Sequence, residues 1–130
     1  FRILDRMNFP PEEIAAIVTA IGNHDEGTGQ PVSAFAAALI LADKSDVRRS
    51  RVRDKATVAL DIHDRVNYSV TDCHLEFDEQ HTSIRLILTV DTELGSVMEY
   101  LEIFMKRMLL CQKAAQAPAG QYPHRGCRWL

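Results

Sequence analysis

Residues 73–90 read CHLEFDEQHTSIRLILTV, and this stretch decides the fold class. Apolar Cys73, Leu75 and Phe77 alternate with polar neighbours, which is the period of a half-buried β-strand. Apolar side chains recur with the same period at positions 84, 86, 88 and 90. The intervening Glu79-Gln80-His81 lacks this alternation and is typical of a loop. The stretch therefore predicts a two-stranded antiparallel hairpin.

A long helix is predicted directly after the hairpin. Ser96 and Glu99 match a capping box, in which each side chain accepts a hydrogen bond from the other residue's free backbone N–H. An apolar stripe at helical spacing follows, made of Val97, Leu101, Phe104, Met108, Cys111 and Ala115. Such a stripe must cover an apolar surface, which is either the hairpin or a partner chain.

A first amphipathic helix is predicted before the hairpin, near the start of the chain. Pro10-Pro11 opens it, because a proline in the first helical turn lacks only an N–H that would have no partner there. Apolar side chains at positions 14, 17, 18 and 21 follow at helical spacing. Gly22-Asn23 is a suitable end, and a polar connection with two glycines and a proline leads on to Val32.

A second and more buried helix is predicted to follow Ser33, which is a favourable N-cap residue. The eight residues from Phe35 to Ala42 are all apolar, and Asp43 comes directly after them. The sequence therefore predicts an α+β fold. In it, a helical segment precedes an antiparallel β-hairpin and a long C-terminal helix.

The change of pattern near residue 56 predicts a domain boundary. Residues 1–55 are expected to form a helical domain part, and residues 56–130 an α+β appendage of hairpin and long helix. Residues 57–70 fit neither pattern. The tail from Pro118 to Leu130 has two prolines, two glycines and no periodicity, so we expect it to be irregular.

Composition narrows the class of protein. A length of 130 residues suits one domain, and 46% hydrophobic with 25% charged residues is ordinary for a soluble globular protein. The net charge of −3 gives no overall basic field, which argues against nucleic acid and anionic membranes as partners. No apolar run reaches the roughly 18 residues that span a bilayer.

Cysteine usage predicts a cytoplasmic protein. The three cysteines form no even set and no Cys-x-x-Cys pair, which argues against a disulfide framework and a structural zinc site.

The first residue is Phe1, and no basic-then-apolar leader follows it. We therefore expect the chain to begin inside a longer protein.

Asp43 and His24 are the residues best suited to chemistry. A carboxylate at the end of a buried helix costs several kcal/mol or more unless a cation or hydrogen bonds compensate it. A metal ion is one compensation for Asp43, and an arginine or an early helix end is another. His24-Asp25-Glu26 places imidazole and carboxylate groups in a loop at a helix end, which suits a divalent ion but also a solvated polar loop.

The run from Ile17 to Arg53 resembles the later half of a domain of the HD superfamily of metal-dependent phosphohydrolases. In many members an amphipathic helix leads to a loop with histidine and glycines, and a hydrophobic helix ending in Ala-Asp follows. The resemblance implies that Asp43, in Leu-Ala-Asp-Lys, binds a divalent metal ion, and that His24 serves a second metal or a phosphate. It covers under half of the chain.

The same resemblance implies a substrate-binding role for Lys44, Asp46 and Arg49, which follow the metal-binding aspartate. The basic stretch from Arg48 to Lys55 is either a phosphate or nucleotide contact or a solvated helix end. The family's first histidine and its His-Asp dyad would lie before Phe1. His63-Asp64 is a literal His-Asp pair but comes after Asp43, so we interpret it as a structural or surface feature.

Two functions from different classes follow. In the first, the parent protein hydrolyses a phosphate ester of a small molecule, a nucleotide being one candidate, and this chain carries part of the site. In the second, the chain is a non-catalytic binding or dimerisation module, whose partner is another protein or a second copy of the chain. Bound divalent metal distinguishes the two.

Overall fold

The structure, a computed structural model, describes residues 1–53, 58, 61–80 and 82–117. Its helices are α1 (Arg2–Arg6), α2 (Pro11–Gly22), α3 (Ala34–Ser45), α4 (Ile62–Ser69) and α5 (Val97–Ala115), with a 3-10 turn at Arg49–Arg51. Its strands are β1 (Val70–Phe77) and β2 (Ile84–Val90). The predicted α+β class is confirmed. The predicted loop residue His81 and the predicted irregular tail, 118–130, lie outside the described residues.

The two predicted helices before the hairpin are α2 and α3. Helix α2 begins at Pro11 and carries two glutamates in its first turn, where the positive end of the helix dipole favours negative charge. Ser33 accepts a hydrogen bond at its Oγ from the Ala36 N–H at 3.0 Å, and so satisfies one of the free donors of the first turn of α3. Both predicted helix starts are confirmed.

The hairpin has the predicted antiparallel pairing. Cys73 lies opposite Leu88, and Leu75 lies opposite Leu86, with one irregularity between Val70 and Asp72. Strands in this register place the alternating apolar side chains of both strands on one face. Phe77, at the end of β1, nevertheless stays 58% exposed.

The capping box before α5 is also present. The Ser96 N–H donates to Glu99 Oε2 at 2.9 Å, and the Glu99 N–H donates to Ser96 Oγ at 3.1 Å. The backbone hydrogen bond from Ser96 is the main reason why the pKa of the Glu99 carboxyl is lowered, and Arg65 adds to it at 2.6 Å. The ionised carboxylate therefore stabilises the start of this helix.

The chain folds as two compact units. The described part of unit 1 comprises Phe1–Asp43 and 110–117, and unit 2 comprises Lys44–Leu109. These limits differ from the predicted division at residues 55 and 56, which stays a prediction. No helix among the described residues is long and apolar enough to cross a membrane.

Each unit has its own apolar cluster. The buried residues of unit 2 are Val47, Val66, Val70, Tyr100 and Phe104. Leu101 and Met108 of the predicted α5 stripe pack against this cluster, as do Cys73 and Leu88 of the hairpin. The middle of the stripe therefore covers the hairpin. In unit 1, Ala37 and Ile40 of α3 cluster with Leu110 and Ala114 at the end of α5.

Helix α4 resolves the ambiguous region of the sequence. Its N-cap residue Asp61 accepts hydrogen bonds at Oδ1 from the backbone N–H groups of His63, at 2.7 Å, and Asp64, at 3.2 Å. His63 and Asp64 thus lie in the first turn of a helix. His63 is exposed, and Asp64 is half-buried and has an interaction partner.

Candidate functional site

His24 lies two residues beyond the end of α2 and is half-buried. Its Nδ1 is 2.6 Å from the carbonyl oxygen of Ile21. Since a carbonyl oxygen can only accept a hydrogen bond, Nδ1 is the donor in this contact, and Nε2 is the ring nitrogen that could bind a metal ion. Metal-binding histidines are commonly held in this way, with one ring nitrogen donating to a backbone carbonyl and the other facing the metal.

Backbone hydrogen bonds hold the loop that carries His24. The Gln30 N–H donates to the Asn23 carbonyl at 3.0 Å, and the Gly29 N–H donates to the Asp25 carbonyl at 2.6 Å. Gly29 is buried, and a Cβ added there would collide with the Asp25 carbonyl oxygen and come within 3.0 Å of Leu110 Cδ2. The loop is therefore closed on itself in a way that needs glycine at position 29.

Asp43 lies in the last turn of α3, where the sequence placed it. Asp43 is half-buried and has an interaction partner. A metal ion at this position would therefore have to share or displace that partner. Asp43 and His24 both belong to unit 1.

Lys44 is buried, with only 5% of its surface exposed. Lysines are almost never buried at this level unless they are paired, and Lys44 does have an interaction partner. Lys44 is the first residue of unit 2. The other two residues predicted to bind substrate, Asp46 and Arg49, also lie in unit 2.

Asp46 holds two arginines. Its Oδ1 is 2.7 Å from Arg48 Nε, and its Oδ2 is 2.9 Å from Arg51 NH1. The side chains of Arg48 and Arg51 are 56% and 48% exposed, whereas that of Asp46 is 29% exposed. One carboxylate therefore fixes two guanidinium groups, and this part of the chain keeps a net positive charge.

Arg49 faces different partners from those of its neighbours. Its Nε donates to the Tyr68 carbonyl at 2.7 Å, its NH2 donates to Asp91 Oδ2 at 3.3 Å, and its guanidinium lies 4.7 Å from the centre of the Tyr68 ring. These contacts join the 3-10 turn, α4 and the end of β2. Arg49 thus serves the packing of unit 2, whatever else it binds.

A histidine between two carboxylates on β1 was not among the predicted site residues. His74 Nδ1 is 2.8 Å from Asp72 Oδ2, and His74 Nε2 is 3.4 Å from Glu76 Oε1. The hydrogen bond with Asp72 is the largest cause of the raised pKa of His74. The spacing Asp-x-His-x-Glu on a strand, which puts all three on one face, was the signal available in the sequence.

The surroundings of Cys73, on the same strand, disfavour its thiolate. Its Sγ donates to the Ser45 carbonyl at 2.7 Å, and burial raises the pKa of the thiol. A raised pKa leaves less of the nucleophilic thiolate at neutral pH. Neither Cys73 nor Cys111 forms a disulfide within the described part of the chain.

Within the described ranges, no group of three or more histidine, cysteine, aspartate or glutamate side chains is arranged to hold a metal ion. The arginine partners of Asp46 lie within the basic stretch that the sequence singled out, but the role of Asp46 in fixing them was not predicted. Comparison with models of protein families, with curated proteins and with solved structures finds no match.

Proposed function

We propose that this chain supplies part of the metal site of an HD-type metal-dependent phosphohydrolase, with His24 and Asp43 as two ligands. The observation that carries the proposal is the hydrogen bond from His24 Nδ1 to the Ile21 carbonyl at 2.6 Å, which orients the ring and makes Nε2 the nitrogen not used in this contact. Imidazole nitrogen and carboxylate oxygen together suit a divalent transition ion. The remaining ligands of such a site would come from residues that this chain does not contain.

The reaction proposed is hydrolysis of a phosphate ester of a small molecule, a nucleotide being one candidate, in the cytoplasm. A bound divalent ion polarises the phosphoryl group and lowers the pKa of a coordinated water. His24 and Asp43 would orient the ion. Lys44, Asp46 and Arg49 stay predictions as substrate contacts, and each of them already has an interaction partner in the protein.

Metal content tests this proposal directly. We expect the purified chain, and more strongly its longer parent, to bind divalent metal that His24→Gln and Asp43→Asn each reduce by about tenfold or more in affinity. Asp5→Asn is the matched control, because Asp5 is an exposed carboxylate in α1, outside the loop that carries His24. Hydrolysis of an aryl phosphate by the parent should fall in the two ligand variants and persist in the control.

The proposal fails if both ligand variants bind as much metal as the unchanged protein. Loss of metal must also be separated from loss of structure. Circular dichroism of each variant serves this purpose, since His24 lies in a loop and a properly folded His24→Gln variant should keep the helical signal.

A non-catalytic binding or assembly role is the second candidate. It is favoured by the apolar side chains that α5 exposes, among them Met98 at 72% and Leu109 at 50%. Exposed apolar residues grouped on one face mark interaction surfaces. Absence of metal binding by the parent, together with association that depends on concentration, would favour this role over the hydrolase.

A further inference from the structure

We propose that α5 carries a self-association surface on which a second copy of the chain docks, with the two α5 helices antiparallel. The surface consists of Met98, Met105 and Leu109, which are 72%, 45% and 50% exposed. Residues seven and eleven positions apart on an α-helix lie within about 40° of one another, so the three side chains form one stripe.

This stripe is a second apolar face of α5, separate from the one that the core of unit 2 uses. Phe104 is buried in that core, and Leu101 and Met108 pack against it. A surface helix with a single apolar face buries that face against the core of its own domain. The additional stripe on α5 is not needed for that packing, which points to a partner outside unit 2.

Charge selects a second copy as that partner and sets its direction. Glu102 and Lys106 are both exposed and flank the stripe one helical turn apart. In a parallel pair in register, both residues lie on the same side of the stripe in each copy and therefore on opposite sides of the interface, so they form no ion pair with the other copy. In an antiparallel pair centred near Phe104, Glu102 of each copy lies level with Lys106 of the other, and Met98 lies level with Leu109.

The antiparallel arrangement is self-complementary, as a two-fold symmetric interface requires. Both apolar ends of the stripe are covered, and two equivalent ion pairs form across the axis. Each pair lies at the rim of the contact, where it contributes to specificity and orientation more than to affinity. The inference stands independently of the proposed metal site, because every residue in it belongs to unit 2.

Charge reversal with mixing tests the inference. Glu102→Lys leaves two cations on the face, and Lys106→Glu leaves two anions, so each variant alone should associate about tenfold more weakly than the unchanged chain. An equimolar mixture should regain association, since every cross-pair is then attractive. Any attraction between positions 102 and 106 of one helix is lost in both variants, so recovery on mixing cannot come from it.

Sedimentation equilibrium over a wide concentration range is the measurement. Glu79→Lys makes the same charge change in the hairpin loop and should leave association unchanged, whereas Met105→Lys should weaken it. Added salt should weaken the mixed species more than the unchanged dimer. A monomeric unchanged chain at all concentrations overturns the inference, as does a mixture that associates no better than its components or a Glu79→Lys effect equal to that of Glu102→Lys.

Discussion

Arg49 shows how one side chain connects segments that are distant in sequence. Asp91 lies 42 residues further along the chain, yet it accepts a hydrogen bond from the Arg49 guanidinium. Tyr68 contributes both its carbonyl oxygen and the face of its ring. A guanidinium suits this position because its planar fork donates in two directions while its flat face stacks on an aromatic ring.

We expect Arg49→Lys to destabilise the protein by about 1–2 kcal/mol, because lysine keeps the charge but loses the fork and the stacking. The figure allows for the partial exposure of the side chain, which is 38%. Urea unfolding measures it, with Arg53→Lys as a control at an exposed position. Unchanged stability combined with weaker binding of inorganic phosphate would instead assign Arg49 to the substrate, as the sequence predicted.

Local side-chain roles could be predicted from the sequence, but long-range roles could not. Ser33 and the pair Ser96 and Glu99 bond to backbone groups within three residues, so their spacing alone identified them. The partners of Arg49 depend on how the chain folds back, which no local spacing records. For the candidate site, the positions of His24 and Asp43 at helix ends were predictable, but the hydrogen bond that orients the His24 ring was not.

The same limit applies to whole elements. Helices α2 and α5 carry apolar side chains at helical spacing, α3 carries an unbroken apolar run, and the side chains of both strands alternate. Each of these elements was therefore predictable. Helix α4 was missed because its eight residues are mostly polar. It is stabilised by the Asp61 cap and by burial of Val66, and burial depends on the neighbours that the fold supplies.

The loop between α2 and α3 offers a matched pair of glycines. A Cβ at Gly29 would collide with the Asp25 carbonyl oxygen, whereas a Cβ at Gly27 would meet nothing within 4 Å. We expect Gly29→Ala to cost about 1–3 kcal/mol of stability, since crowding a packed position forces the backbone to shift. Gly27→Ala should be close to neutral.

Thermal unfolding of the two alanine variants measures this difference. Because the Gly29 N–H bonds to Asp25, the residue after His24, the Gly29→Ala shift should also reach the imidazole. The His24 ring resonances in NMR spectra should therefore move in Gly29→Ala and stay in place in Gly27→Ala. Equal stability of the two variants would mean that the loop relaxes without cost.

At the scale of the whole molecule, ionised carboxylates make stability depend on pH in the acid range. Hydrogen bonds from Thr82 and Ser83 lower the pKa of Asp78 from 3.8 to about 2, and the pKa of Glu99 is also lowered. A group with a lowered folded pKa stabilises the fold above its unfolded pKa and ceases to do so as the pH falls through the folded value. The free energy of unfolding should therefore decrease from about pH 5 towards pH 2.

Asp78→Asn should flatten this acid slope, because asparagine still accepts hydrogen bonds at Oδ1 but does not titrate. Urea unfolding between those two pH values is the measurement. Glu79→Gln removes a neighbouring exposed carboxylate and should keep the slope. A slope in Asp78→Asn as steep as in the unchanged chain would show that this carboxylate does not contribute to it.

His74 makes the opposite contribution on the alkaline side. The carboxylates of Asp72 and Glu76 raise its pKa above 6.5, and the cross-strand neighbours of this face are Thr89, Ile87 and Arg85. A histidine with a raised folded pKa stabilises the fold fully below its unfolded pKa and loses this effect as the pH rises through the folded value. His74→Gln should therefore remove the decrease in stability above neutral pH and leave the acid slope unchanged. NMR titration of the imidazole and urea unfolding must agree, because a raised His74 pKa without the corresponding loss of stability would require the same ion pair to persist in the unfolded chain.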